Sequence, residues 1–533
     1  MKIWLYDTTL RDGSQAQGIS LSLEDKLKIA RQLDAMGIPF IEGGWPGANP
    51  KDVQFFWQLK EKPLQQAELV AFCSTRRPHQ VAAADKMLQG ILAAGTRWIT
   101  IFGKSWDLHV TESLKTSLEE NLNMIQDSIE YLCSQGRKVI YDGEHWFDGY
   151  KHNPEYALKT LKTAIAAGAE WLVLCDTNGG TLPHEISEIV TEISQAIPNC
   201  PPLGIHTHND SGTAVANAIA AVRAGATMVQ GTINGYGERC GNADLCTLIP
   251  NLQLKLGYEC LPGKKLAQIT KTSRMVSETV NFAPEERAPF VGRSAFAHKA
   301  GIHVSAVAKN PLTYEHIEPE AIGNQRSILI SEQSGMSNIL HYAKKFGIKL
   351  DKNAPQCRQI LEKLKTLESQ GYQFEGAEAS FELLMRSYLE KRPTMFELQG
   401  FQVHCNINQQ EISSQSIAVA TIKATVGKHR LLEVAEGNGP VSALDRALRK
   451  ALVKFYPKIA QFYLTDYKVR ILDGKLGTDA TTRVLVESSN GKKSWTTVGV
   501  SGNILDASYH AVVEGIEYGL LLESSAKSTV TQY

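Results

Sequence analysis

The chain has 533 residues, with 56 Lys and Arg against 56 Asp and Glu. This length predicts two or more domains, because a single hydrophobic core rarely grows beyond about 300 residues. The balanced charge gives no reason to expect nucleic acid or a membrane as a partner, and no signal-peptide pattern or bilayer-spanning apolar run is present. We therefore expect a cytoplasmic protein whose nine unpatterned cysteines are reduced thiols.

Residues 1–257 alternate short apolar runs with segments of helical periodicity, eight times in succession. The runs are Ile3–Tyr6, Phe40–Glu42, Leu69–Phe72, Trp98–Phe102, Lys138–Tyr141, Trp171–Cys175, Leu203–Ile205 and Met228–Thr232. The helical segments are Glu24–Met36, Asp52–Leu59, Gln80–Ala94, Leu118–Cys133, Tyr156–Ala166, Pro183–Ile197, Ala214–Arg223 and Leu245–Leu256. Several end near a glycine that is typical of a helix C-terminus, namely Gly37, Gly95, Gly168 and Gly225. Eight alternating units over about 257 residues predict a (β/α)8 TIM barrel, and a doubly wound sheet is the alternative.

Two further regions follow the predicted barrel. Residues 258–400 are more polar and mostly helical in pattern, which predicts a helical connector with a turn at Gly371. Residues 401–522 show strand-like runs followed by a helical pattern, twice; the runs are Phe401–Ile407, Ser416–Val426, Arg430–Glu436, Leu464–Leu472, Thr481–Ser488 and Ser494–Val500. This predicts a C-terminal α+β domain with an internal βββα repeat. Such a domain either binds a regulatory effector or serves only for dimerisation, and the polar tail over 523–533 is expected to fray.

His206 and His208 end the seventh predicted strand, in the stretch LGIHTHNDSG. Side chains two residues apart on a strand lie on one face, and in a barrel that face can be the interior at the end where active sites form. Two imidazoles there can bind a divalent metal, and Asp12 in YDTTLRDGSQ can add an oxygen ligand. Asn242, in the glycine-rich stretch NGYGERCGN, can reach the metal directly or through water.

Other strand ends carry candidate substrate-binding groups. Arg11 can clamp a carboxylate, Thr177 in LCDTNGG offers a hydroxyl to a substrate carboxylate, and Glu144 in YDGEHW can transfer a proton. A turn role for Thr177 and a surface position for Glu144 are the alternatives. The stretch SAFAHKAGIHVSAVAKNPLTYEHIEP lies outside the predicted barrel and carries further candidate residues, namely His298, Lys299, His303, Tyr314 and His316. A position on a helix surface is the alternative for at least one of the histidines.

Together these motifs resemble the DRE-TIM metallolyase superfamily, and specifically its Claisen-condensing acyltransferases. DTTLRDGSQ, HTHNDSG, NGYGERCGN and FAHKAGIHV…TYEHIEP occur in order and in register with the predicted barrel. The resemblance covers nearly the whole chain, including a C-terminal domain of the 2-isopropylmalate synthase type. IEGGWPGANPKD and DGEHWFDGYKHNP resemble the citramalate synthase branch, in which many members have Ala where Gly143 stands here.

The resemblance implies roles for the candidate residues. Asp12, His206 and His208 match the family's metal ligands, and Asn242 matches a fourth, weaker or water-mediated position. Arg11 matches the residue at the keto-acid oxygen, and Thr177 matches the hydroxyl that binds the substrate carboxylate. Glu144 matches the acidic residue near the reacting carbons. Residues delivered into the neighbouring subunit's barrel correspond to His303 and Tyr314, so a homodimer is expected.

The implied reaction joins acetyl-CoA, as co-substrate, to pyruvate and releases (R)-citramalate and CoA, on a route to isoleucine. Mg²⁺ or Mn²⁺ is the expected metal, with Zn²⁺ as an alternative. His303 is the expected base, assisted by Glu144, with the division between them open. Isoleucine is the implied inhibitor at the C-terminal domain.

Substrate choice leaves rivals open. A methyl-sized pocket should be closed by bulky side chains, for which Phe72, Phe102, Trp98 and Trp146 are candidates. 2-Isopropylmalate synthase, with 2-oxoisovalerate as acceptor, and homocitrate synthase are the nearest alternatives. A carbon–carbon lyase of the same superfamily and a catalytically silent amino-acid sensor are more distant ones.

Overall fold

The computed structural model describes residues 1–389, 395–406 and 417–530, and it begins with eight parallel strands. They are β1 Trp4–Asp7, β2 Phe40–Gly44, β3 Glu68–Ser74, β4 Trp98–Lys104, β5 Lys138–Glu144, β6 Trp171–Asp176, β7 Leu203–Thr207 and β8 Met228–Gly231. Each strand pairs with the next one in the chain, and β8 pairs back with β1, where Leu5 lies opposite Val229. The sheet is therefore a closed barrel, which confirms the predicted TIM barrel and excludes the doubly wound sheet.

Ten helices follow or connect these strands in the barrel part of the described chain. They are α1 Leu23–Met36, α2 Pro50–Glu61, α3 Lys86–Ala93, α4 Leu118–Ser134, α5 Trp146–His152, α6 Pro154–Ala166, α7 Pro183–Ala196, α8 Ala214–Arg223, α9 Leu245–Pro250 and α10 Ile269–Thr279. Gly37, Gly95, Gly168 and Gly225 all have positive φ, as the helix-ending pattern predicts.

Local hydrogen bonds explain where these helices begin. The Ser22 side chain accepts from the Asp25 amide and the Asp25 carboxylate accepts in return from the Ser22 amide, which caps α1. The predicted helix Gln80–Ala94 is too long, because the Asp85 carboxylate accepts from the amides of Met87 and Leu88 and so starts α3 at Lys86. Helix α5 has no counterpart in the prediction.

The lower interior of the barrel is filled by aromatic side chains from the first positions of the strands. The ring of Phe40 lies 5.7 Å from that of Trp4 and 5.4 Å from that of Trp98, the latter edge to face. Trp171 and Met228 belong to the same buried cluster. The interior of the barrel is therefore packed shut at this end, whereas active sites of such barrels form at the carboxyl ends of the strands.

The remaining described residues continue with short strands and helices and then the C-terminal sheets. A short parallel pair, β9 Ala297–His298 and β10 Ser327–Ile328, accompanies α11 Gly301–Lys309, α12 Met336–Lys345, α13 Pro355–Ser369 and α14 Glu378–Leu389. The chain turns between α13 and α14 at Gly371, which has a φ of +103°, as predicted.

The C-terminal region contains the predicted βββα repeat. One antiparallel sheet consists of β11 Glu397–Asn406, β12 Ile417–Val426 and β13 His429–Gly437, followed by α15 Pro440–Leu452. The other consists of β14 Tyr463–Ile471, β15 Thr482–Ser489 and β16 Ser494–Ser501, followed by α16 Ile504–Val530. Of the predicted strand ends, Ile407 and Ser416 lie outside the described residues.

The predicted frayed tail differs from the structure. Helix α16 continues to Val530, and residues 531–533 lie outside the described part of the chain. After Gly519 the sequence contains neither Gly nor Pro, and Leu, Glu, Ala and Lys in this stretch all favour a helix, so nothing local ends it earlier.

The chain divides into two compact units. The barrel unit contains residues 1–296 and 316–326, and the second unit contains residues 297–315 together with the described residues from Ser327 onward. Helix α10, which the sequence assigns to the connector, thus belongs to the barrel unit. Among the described residues, no helix combines the length and the apolar character needed to cross a membrane.

Candidate active site

Asp12, His206 and His208 meet at the carboxyl end of the barrel strands. The Asp12 Oδ2 atom lies 3.1 Å from His206 Nε2 and 3.9 Å from His208 Nε2. One potential ligand atom from each residue lies within 4.8 Å of the other two, and all three side chains are buried. The structure thus brings together the two histidines and the aspartate that the sequence analysis proposes as metal ligands. Their arrangement fits a divalent metal ion.

The charges around this cluster favour a cation. Burial acts to raise the pKa of Asp12, but Arg11 and His206 outweigh it and hold that pKa well below its usual range. Burial opposes protonation of His206, yet its hydrogen bond with Asp12 raises the pKa of the ring. Burial and the nearby His206 lower the pKa of His208 to about 3. The site therefore holds an anionic Asp12 carboxylate and a neutral His208 imidazole, both of which can bind a cation.

Asn242 lies next to the Asp–His–His cluster. Its side-chain nitrogen lies 2.8 Å from Asp12 Oδ2 and 3.0 Å from His206 Nε2. Its oxygen is buried without a hydrogen-bond partner among the described residues, and it lies where a Cβ on Gly237 would be only 1.9 Å away. The amide nitrogen of Asn242 thus faces Asp12 and His206, whereas its oxygen lies against Gly237.

A chain of buried side chains holds His206 from behind. The His206 Nδ1 atom lies 2.7 Å from Gln230 Oε1, and Gln230 Nε2 donates to Asp142 Oδ1 at 3.1 Å. Because the Gln230 oxygen only accepts, His206 carries a hydrogen on Nδ1 and turns Nε2 toward Asp12. Burial raises the pKa of Asp142 to about 7. Sequence reasoning missed Gln230 and Asp142, although Gln230 is the one polar side chain of β8 and Asp142 lies two residues before Glu144 in β5.

Arg11 is fixed beside the cluster by a residue that the sequence analysis also missed. Its Nε donates to Glu42 Oε1 at 2.5 Å, and its guanidinium lies 3.8 Å from the centre of the Phe72 ring. Glu42 is completely buried in the middle of β2 and accepts further hydrogen bonds from Tyr6 and Thr8. Three donors on one carboxylate hold the guanidinium in a single position next to Asp12.

Thr177 and Glu144 lie at the same rim, as predicted. The Thr177 hydroxyl accepts from the His145 amide at 2.9 Å, which leaves its own hydrogen available to donate to a ligand. Glu144 forms an ion pair with Lys104, the residue that ends β4. Both Thr177 and Glu144 line the cavity that also contains the Asp–His–His cluster.

This cavity has a volume of about 220 Å³ and an aromatic wall. The rings of Phe72 and Phe102 stack with centres 5.2 Å apart, and Trp45 meets both of them edge to face. Trp45 is a further lining residue that sequence reasoning missed, since it lies in the turn after β2 rather than on a strand.

Two aromatic candidates for the pocket were wrong. Trp98 is the first residue of β4 and packs in the lower interior of the barrel. Trp146 is completely buried and stacks on Tyr150, with ring centres 4.8 Å apart. Trp98 lies at the amino end of β4, away from the cavity. Trp146 follows β5, but its side chain is buried in the core.

His303 and Tyr314 belong to the second unit. Their rings lie 4.2 Å apart, and Tyr314 is 46% exposed. His298 is buried in the same unit with its Nε2 atom 2.9 Å from Glu315 Oε1. His316 belongs instead to the barrel unit, where its ring contacts Phe290.

Three family models match successive parts of the chain. The HMGL-like model matches residues 2–276, and the homocitrate synthase post-HMGL domain-like model matches residues 290–372. The LeuA allosteric (dimerisation) domain matches residues 375–520. The first match covers the barrel, and the last covers the βββα repeat.

Several relatives match along nearly the whole chain. A protein of Synechocystis sp. named (R)-citramalate synthase is 70% identical over 527 residues, covering 98% of this chain and 96% of the relative. A protein of Aquifex aeolicus with the same name is 51% identical over 520 residues, covering 98% of each chain. A 2-isopropylmalate synthase of Methanocaldococcus jannaschii is 32% identical over 519 residues, covering 97% of this chain and 94% of the relative.

We predict that replacing Gln230 weakens metal binding. Gln230→Leu removes both the acceptor for His206 and the donor to Asp142, so the ring is free to turn its lone pair away from the cluster. The dissociation constant for Mn²⁺, measured by electron paramagnetic resonance, should rise by about 10–100-fold. Asp142→Asn retains an acceptor for the Gln230 amide and should have a much smaller effect. Unchanged Mn²⁺ binding by Gln230→Leu would show that His206 is oriented by other contacts.

Proposed function

Since the chain belongs to the HMGL-like family and, within it, to the (R)-citramalate synthases, we propose that it condenses acetyl-CoA with pyruvate and releases (R)-citramalate and CoA. The observation that carries this proposal is the small cavity in which the Asp–His–His cluster, Arg11 and Thr177 meet behind an aromatic wall. These are the groups needed to bind a short 2-oxo acid by both of its oxygen functions.

Pyruvate would be held by its carboxylate and its keto group. Thr177 donates its hydroxyl hydrogen to the carboxylate, and the Arg11 guanidinium provides positive charge beside the keto oxygen. A divalent cation held by Asp12, His206, His208 and Asn242 would supply Lewis-acid polarisation of the keto carbonyl. We propose Mg²⁺ or Mn²⁺ for this role, with Zn²⁺ as the alternative. Glu42 keeps Arg11 in place, so its charge is already oriented when negative charge develops on the keto oxygen.

The carbon–carbon bond requires removal of a proton from the methyl group of acetyl-CoA. We assign this step to His303, with Glu144 close to the reacting carbons. The resulting carbanion attacks the keto carbon of pyruvate, and the keto oxygen takes up a proton. Water then cleaves the thioester, which releases CoA and leaves the second carboxylate of citramalate.

The aromatic wall supports pyruvate over larger 2-oxo acids. Of the candidate acceptors, pyruvate carries the smallest substituent, a methyl group, and Trp45, Phe72 and Phe102 leave little room beside the cluster. The nearest alternative acceptor, 2-oxoisovalerate, adds two methyl groups. Hydrophobic pockets discriminate by about 1–3 kcal/mol for each methylene, so some activity with 2-oxobutyrate is expected.

The decisive experiment measures CoA release from acetyl-CoA with pyruvate, 2-oxobutyrate, 2-oxoisovalerate or 2-oxoglutarate, with and without EDTA. We expect strong preference for pyruvate and loss of activity on chelation. Phe102→Ala should raise the relative rate with 2-oxobutyrate by about 10-fold or more, because it opens the wall without touching Arg11. Trp98→Phe, in the lower interior, should leave the preference unchanged. Preference of the wild type for 2-oxoisovalerate would replace the proposed substrate, and no release with any acid would contradict the condensation itself.

We propose that the active site of one protomer is completed by His303 and Tyr314 of a second copy. The match of residues 375–520 to a LeuA allosteric (dimerisation) domain supports a homodimer, and the exposure of Tyr314 leaves the His303–Tyr314 pair accessible in the single chain. In such a dimer each site takes its Asp–His–His cluster from one chain and its base from the other.

Mixing two inactive variants tests this arrangement. Asp12→Ala and His303→Ala should each be inactive alone, whereas random reassociation in equal amounts should restore about a quarter of the wild-type activity. Half of the dimers are then mixed, and each mixed dimer has one intact site. No recovery, together with demonstrated formation of mixed dimers, would place His303 in the site of its own chain.

We further propose that residues 401–522 bind isoleucine as a feedback inhibitor. The match to a LeuA allosteric domain and the duplicated βββα architecture support regulation in this region. Titration of the CoA-release assay should give inhibition by isoleucine at lower concentration than by leucine or valine. Equal response to all three, or none, would contradict this choice of effector.

A further inference from the structure

The loop after β8 contains an asparagine in an unusual backbone conformation. Residues 232–244 connect β8 to α9 and carry Asn242 of the metal cluster. Asn234 in this loop has φ +63° and ψ +14°, in the left-handed region that few residues other than glycine adopt. Asparagine tolerates this region better than most residues, so its identity and its side-chain contacts both require explanation.

The Asn234 side chain is bound to one face of α10. Its Nδ2 lies 3.0 Å from the Ser273 carbonyl oxygen and 3.0 Å from Ser277 Oγ. Its Oδ1 accepts from Ser273 Oγ at 2.6 Å. Ser273 and Ser277 are one helical turn apart and buried, so they form a polar stripe that faces the loop. The amide of Asn234 is thus used in both directions, as donor and as acceptor.

The backbone continues this connection to the metal cluster. Gly235, the next residue, has a carbonyl oxygen that accepts from the Asn242 amide at 3.0 Å. The same oxygen lies only 2.0 Å from where a Cβ on Gly241 would be, so the loop closes tightly around it. A single peptide bond therefore separates the residue bound to α10 from the carbonyl that fixes the backbone of Asn242.

We propose that Asn234 is a positioning residue for the metal site, which it serves by tying the 232–244 loop to α10. This inference rests on the proposed metal-dependent function. Asn234 touches neither the cluster nor the cavity lining, and it acts through Gly235 and Asn242. Glycine at this position would adopt the backbone angles but lose the hydrogen bonds. Aspartate would tolerate the angles but could not donate to the Ser273 carbonyl oxygen.

The test compares Mn²⁺ binding by the full-length variants Asn234→Gly and Asn234→Asp with that of the wild type. Both variants should bind Mn²⁺ about 10-fold more weakly, as expected for loss of a supporting contact behind a metal ligand. Asn199→Gly is the matched control, since Asn199 also has positive φ (+57°) but is exposed after α7. It should bind Mn²⁺ like the wild type. Thermal melting is followed in parallel, because a purely structural role would lower the melting temperature without weakening Mn²⁺ binding by the folded variant.

Mn²⁺ binding within twofold of the wild type by Asn234→Gly would overturn the inference. If that variant does not fold, the double variant Ser273→Ala with Ser277→Ala removes the side-chain partners from the helix side, and the same two outcomes apply to it. A wild-type chain that binds no Mn²⁺ and keeps its activity after chelation would contradict the proposed metal dependence instead. The two failures are therefore distinguishable.

Discussion

Closure of the barrel between β1 and β8 decides which side chains can meet. Asp12 follows β1, His206 ends β7 and Asn242 follows β8, so residues 230 positions apart in the chain become hydrogen-bonded neighbours. All eight strands run in the same direction, which places every strand's carboxyl end on one rim. Aromatic rings fill the interior at the opposite end. The polar cluster therefore lies at the carboxyl-end rim, where solvent and a ligand have access to it.

Several charged side chains are buried close together at this rim. The carboxyl groups of Asp12, Glu42 and Asp142 are buried near the guanidinium of Arg11. Glu42 is hydrogen-bonded to Arg11, whereas burial, together with the charge of Glu42, raises the pKa of Asp142. Arg11 and His206 hold the pKa of Asp12 low, so this buried carboxylate stays anionic and can attract a cation.

The sequence predicts the cluster better than its surroundings. The alternation of strands and helices predicts the barrel, and the two-residue spacing of His206 and His208 places both rings on one face. Glu42 and Gln230 escape detection because a lone polar residue in an apolar strand has no pattern of its own; only the folded chain shows that Glu42 meets Arg11 and that Gln230 meets His206. The aromatic wall is partly predicted: Phe72 and Phe102 line the cavity, whereas Trp45 lies in a turn, where no strand pattern marks it.

The second unit is discontinuous in the chain, because residues 297–315 belong to it while 316–326 return to the barrel unit. Strand β9 lies in the first of its segments and pairs with β10 at the start of the second. The chain therefore passes between the units three times, and no single cut separates them. A chimera that exchanges this unit with a relative's has to transplant both segments together, because a junction placed only after residue 326 would leave β9 beside a foreign partner strand.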